Sequence, residues 1–100
     1  MKIPNKIKIG AYDVKIVFPY VFTERSDRYG YYSETSKKIC ITDKDSNGSE
    51  LNRALIEQIL LHEILHAVDD IYNGSNVDER DITNIAQGLY QALKDNDFLK

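Results

Sequence analysis

Residues 60–72 read LLHEILHAVDDIY, and both histidines of the 100-residue chain lie in the string His62-Glu63-Ile64-Leu65-His66. Residues four apart on an α-helix project from one face, close enough for two imidazoles to reach one cation. Residue 63 lies about 100° round the helix from residue 62. Glu63 therefore stands beside such an ion instead of ligating it, placed to take a proton from bound water. This spacing is the HExxH pattern of zinc sites. Two histidines on an apolar face can also be plain core residues hydrogen-bonded to protein, but burying His-Glu-His together without a cation is costly.

The flanks supply the helix that the pattern needs, over residues 50–72. Leu51, Leu55, Ile59 and His66 fall within about 60° of His62, while Leu60, Ile64, Ala67 and Ile71 form a second apolar stripe opposite. A helix apolar on two sides is central and covered from both, which predicts a largely dry setting for the histidines. Ser49 reads as the N-cap, and Asn73-Gly74 as the stop.

Zinc takes a third protein ligand and keeps one position for water in a catalytic site. No third histidine exists and the only methionine is Met1, which excludes an extended three-histidine motif with a Met-turn. The remaining choices are a carboxylate or Cys40. Glu79 leads, with Asp78 and then Asp69 behind it. Glu79 and Asp78 open a second helix, over residues 77–94, and border its inward stripe of Ile82, Ile85, Ala86, Leu89 and Leu93. Glu79 has a competing role in a capping box with Asn76, and Asp78 in one with Ser75. Asp69 or Asp70 is placed to accept the spare N–H of a ligating imidazole, or simply to sit on a solvated helix end.

With those residues in view, residues 51–96 resemble the zincin fold, and in particular minimal gluzincins. LLHEILHAVDDIY followed by VDERDITNIAQGLYQALKDN is similar to small phage and prophage proteins related to the ImmA/IrrE and SprT-like metallopeptidases. The resemblance implies that His62, His66 and Glu79 bind Zn²⁺, that Glu63 is the general base, and that the chain hydrolyses peptide bonds. Glu79 comes 13 residues after His66, closer than in large gluzincins.

The N-terminal half alternates. Ile3, Ile7 and Ile9, then Tyr12, Val14, Ile16 and Phe18, fall at strand spacing around Gly10, and Pro19 ends the second run. Residues 29–34 and 37–42 read as a hairpin around Thr35-Ser36. The expected fold is α+β, one domain over residues 1–100: a small, mainly antiparallel sheet of three or four strands on the HExxH helix, with the second helix covering its other stripe. By the resemblance, the strand at 29–34 or its partner borders the cleft and pairs with an extended substrate. Strand addition to such an edge is a physically available recognition mode. An oxyanion stabiliser would come from Tyr, Arg or the metal itself. Tyr31, Tyr32, Tyr72 and Tyr90 are candidates, but half-buried strands and helix packing account for the tyrosines better, and none is assigned a catalytic role.

Asp43-Lys44-Asp45-Ser46-Asn47-Gly48 matches the first half of a calcium loop, but its twelfth position is Ala54 where a bidentate Glu is needed. Turn chemistry explains the same residues. A net charge of −3 gives no electrostatic case for nucleic acid, and Lys37-Lys38 and the stretch from Arg25 to Arg28 are too small to make one. Cys40 is alone and reads as a small packed residue. With no apolar run long enough for a signal peptide or a membrane span, the expected setting is the cytoplasm. The expected partner is a protein or peptide. Three functional readings remain: a zinc peptidase, a catalytically inactive zincin-like module that holds zinc and engages a partner protein, and a metal-free helix–sheet domain.

Overall fold

A computed structural model describes residues 2–23 and 28–99. Met1 and Arg25 lie outside them. The chain forms β1 (Lys6–Ile9), β2 (Tyr12–Val17), β3 (Gly30–Ser33), β4 (Lys38–Ile41), α1 (Arg53–Asn73) and α2 (Glu79–Asp95). The result is α+β, with a four-stranded mixed sheet in the order β1-β2-β4-β3. Gly10, at φ 58°, supplies the left-handed turn that joins β1 to β2 in an antiparallel hairpin. The hairpin expected around Thr35-Ser36 forms between β3 and β4.

Two of the three strand pairings are antiparallel, in keeping with a mainly antiparallel sheet, and β4 lies parallel to β2. The next strand in the chain, β3, lies at the far edge of the sheet, and the hairpin then returns β4 to the centre. Ile39 and Ile41, both fully buried, thereby reach the middle of the sheet, Ile39 between Ile16 of β2 and Tyr32 of β3 and Ile41 beside Gly30. That leaves β1 and β3 as edges.

One face of the sheet packs on α1. Val14, Ile16, Ile39 and Ile41 meet Ile56, Leu60 and Ala67 in a single core. The stripe of α1 that faces the sheet is the Leu60, Ile64, Ala67, Ile71 stripe read from the sequence. Helix α1 starts three residues later than expected: Asn52, not Ser49, is its N-cap, and its side-chain oxygen accepts from the Leu55 N–H at 2.8 Å. Ser49 is instead consumed in the preceding turn, where its N–H donates to Asp45. Gly74 closes the helix in the left-handed conformation.

Helix α2 turns a different face inward than its apolar pattern suggests. Ile82, Ala86 and Tyr90 are buried, whereas Ile85 is 52 % exposed and Leu89 is 37 % exposed. The Tyr90 hydroxyl donates to Glu57 at 2.8 Å, and Glu57 is itself buried inside α1. Burial opposes ionisation of Glu57, but that hydroxyl and the nearby Lys94 ammonium help hold its pKa below the usual carboxylate value. A buried acid without its donor is expensive, so this pair sets the rotation of α2.

Asp70 joins helix to sheet. It accepts from the Tyr32 hydroxyl and from Lys37 Nζ at 2.7 Å. The Lys37 hydrogen bond, then that of Tyr32, holds the Asp70 carboxyl below its ordinary pKa. An acid bound more tightly to its proton in the unfolded chain contributes stability above its unfolded pKa and loses it as pH falls through the folded one. Asp70→Asn is therefore expected to lower Tm at pH 7. The gap to the parent should close as pH falls below the normal carboxylate range, measured by thermal melts from neutral to acid pH.

Candidate metal centre

His62 and His66 sit mid-way along α1, one turn apart, and Glu79 is the first residue of α2. The inward rotation of α2 aims Glu79 at the histidines, since residues 79, 82, 83, 86 and 90 share one helical face. Its two carboxylate oxygens lie 2.7 Å from His62 Nε2 and 2.7 Å from His66 Nε2. The two Nε2 atoms are 3.1 Å apart. Among the described residues, these three form a group of ligand atoms that could hold a metal ion.

The donor set fits a tetrahedral cation. Bonds of about 2.0–2.1 Å place tetrahedral ligand atoms roughly 3.3 Å apart. Reaching that separation asks the Glu79 carboxylate to back off from 2.7 Å by about 0.6 Å, which is easy for a side chain 67 % exposed. Without a cation, the same atoms satisfy one another when each imidazole donates its Nε2–H to Glu79. The expected dry interior is corrected: the His62 and His66 side chains are 21 % and 27 % exposed. They lie at the rim of an open groove, because α2 covers only part of that side of α1.

Glu63 is buried behind them, 7 % exposed. Burial, and then the negative charge of Glu79, push its pKa up to about 7, against the pull of Arg28. It shares a cavity of about 360 Å³ with His62, Glu79, Arg28, Tyr29 and Gly30. The cavity is walled on one side by α1 and α2 and on the other by the residues leading into edge strand β3. Gly30 makes the approach possible: a Cβ there would stand 2.7 Å from Ile59 Cγ2 and 2.9 Å from Glu63 Oε2.

The other acids considered as ligands are occupied elsewhere. Asp78 is the N-cap of α2 and accepts from the Asp81 N–H, so the capping boxes expected from Asn76 and Ser75 do not form. Asp69 is buried and organises the reversal between the helices. It accepts from Asn73 Nδ2 at 2.9 Å and from the N–H groups of Asn76 and Val77, each at 3.2 Å. Asp70 is engaged with Tyr32 and Lys37, so neither aspartate bonds to the imidazoles in the described structure.

None of the four tyrosines considered lines this cavity. The hydroxyls of Tyr32 and Tyr90 donate to carboxylates. Tyr31 lies under the Arg28 guanidinium, 4.7 Å from its ring centre, and Tyr72 is 71 % exposed. The arginine and tyrosine that do line the cavity, Arg28 and Tyr29, were not distinguished by sequence. The one local signal was Gly30 inside an aromatic strand, since an interior strand glycine often marks a close approach.

The calcium-like loop spends Asp45 on itself, accepting from the Asn47 and Ser49 N–H groups at 2.9 Å. Cys40 is buried and free. No helix among the described residues is long and apolar enough to cross a membrane. Comparison of the chain with protein-family models, curated proteins and solved structures found no match.

Proposed function

We propose that the chain is a zinc-dependent peptidase of the zincin type, resembling small phage-type gluzincins and acting on a protein or peptide of the cytoplasm. The observation that carries this reading is the convergence of His62, His66 and Glu79 at 2.7–3.1 Å, with a buried Glu63 opening on the same groove. Two imidazoles and a carboxylate are the ligand set of a catalytic zinc with one position left for water. When bound, zinc supplies Lewis acidity that lowers the pKa of water to about 7 and polarises a carbonyl. Glu63 accepts a proton from the attacking water at its carboxylate and returns it to the leaving amine. Edge strand β3 offers unpaired backbone groups beside the groove, a surface on which an extended peptide adds as a further strand. Arg28 and Tyr29, which line the groove with Gln58, Thr83 and Gln87, are the candidate donors for a developing oxyanion.

A shallow groove with a half-open ligand set also suits a module that holds zinc and docks a partner protein without turnover. Two measurements separate the readings. Protein purified without added metal is expected to carry one zinc per chain by mass spectrometry, and His62→Ala is expected to lose it. A metal-free parent would end both readings. Cleavage of an unfolded protein substrate, abolished by a zinc chelator and restored by zinc, is expected of the peptidase alone.

A further inference from the structure

The sheet face turned away from the helices carries a feature that the metal site does not use. Strand register sets Lys6 opposite Lys15, and Lys15 opposite Lys38, so three ammonium groups stand in one row across three adjacent strands. Strand spacing of about 4.8 Å makes the row roughly 10 Å long. Directly opposed like charges cost stability. None of the three makes an ion pair with a carboxylate among the described residues. Lys8 lies on the same face, opposite Asp13, the face's single strand carboxylate.

Beside the row is a cavity of about 340 Å³ lined by Tyr20, Phe22, Tyr31, Arg28 and Lys38. Tyr20 and Phe22 pack edge to face at 4.7 Å. Tyr31 is 43 % exposed and carries Arg28 over its ring. The modest net charge conceals a division. Residues 1–44 hold nine Lys and Arg against five Asp and Glu, while residues 45–100 hold four against eleven.

We propose that this face binds single-stranded nucleic acid, the lysine row tracking phosphates and the aromatic cavity taking an unpaired base. A cationic track beside exposed rings is the physical requirement for such binding, because every base has a face to stack and every linkage a charge to neutralise. The face suits a single strand better than a duplex, since four strands at about 4.8 Å spacing are broader than the roughly 12 Å major groove and a paired base offers no ring face. A second copy of the chain is disfavoured face to face there, because it would set lysines against lysines.

Fluorescence anisotropy of a short labelled oligo(dT), titrated with the full chain, tests the idea. Binding is expected to weaken steeply between about 50 and 200 mM salt. The combined variant Lys6→Gln, Lys15→Gln, Lys38→Gln is expected to bind at least about tenfold more weakly, with the log–log salt slope shallower by about 2, or 0.7 for each lost contact. Tyr31→Ala is expected to cost about tenfold at unchanged slope, the mark of lost stacking. Lys15→Gln alone serves if the combined variant fails a melting check. The proposal is overturned by no anisotropy change at low salt, by binding that these variants leave intact, by equal affinity for a duplex, or by binding to phosphatidylserine vesicles in place of the oligonucleotide.

Discussion

Glu63→Gln is expected to retain zinc while lowering peptide cleavage by about 10²–10⁴-fold, the usual contribution of a positioned general base. The amide preserves the shape of the side chain against Gly30 and Ile59 but has no lone pair basic enough to take a proton from water. Metal content and a melting curve show that the site is still built, so the loss reports on proton transfer. Stability of the metal-free protein should move the opposite way. Because burial and Glu79 raise the Glu63 pKa to about 7, folding favours its protonated form, and the ionised form costs stability as pH rises from the usual carboxylate value through about 7. Above that pH, metal-free Glu63→Gln is expected to melt higher than the parent. A variant that cleaves normally would place the base elsewhere, and one that melts lower throughout would make Glu63 a structural acid.

The second large effect falls on a residue with no chemistry of its own. Gly30→Val is expected to destabilise the fold by about 1–3 kcal/mol, the ordinary cost of overpacking, and to impair the site as well. A Cβ would sit 2.7 Å from Ile59 Cγ2 and 2.9 Å from Glu63 Oε2, and the valine methyls would reach further. Either β3 moves away from α1 or Glu63 leaves its position; both alter the wall of the groove. Denaturant unfolding gives the stability term, and cleavage assayed well below the midpoint gives the other. Gly88, where an added Cβ would meet open space, is the control: Gly88→Ala in mid-helix should stabilise slightly. Unchanged stability in Gly30→Val would mean that β3 sits further from α1 than described.

Much of the centre could be read from local sequence because its pieces are local. His62, Glu63 and His66 lie within little more than one turn of helix. Glu79 is brought to them by a helix whose inward face includes it. The two helices and the β3–β4 hairpin follow from periodicity and turn residues. The features that could not be read depend on pairing across distance. The parallel β2–β4 contact is chosen by the burial of Ile39 and Ile41 rather than by any neighbour in sequence. Asn52 displaced Ser49 as the cap because the Asp45 turn claimed Ser49 first. Ile85 and Leu89 look like core in a helical wheel, yet the Tyr90–Glu57 bond rotates them outward. Lys6, Lys15 and Lys38 are scattered in the chain, and only register makes them neighbours; the average charge of −3 hides them.

The reversal between α1 and α2 also governs how the chain can vary in length. Asp69 fastens the backbone at Asn76 and Val77, and Glu79 begins two residues later, so the segment has no slack. One residue inserted between Glu79 and Ile82 would rotate Glu79 by about 100° relative to the face that packs on α1 and carry its carboxylate off the imidazoles. The loop at residues 43–49 closes on its own hydrogen bonds before Asn52 starts the helix. An added residue is therefore expected to be tolerated at that loop and to break the centre anywhere between His66 and Ile82.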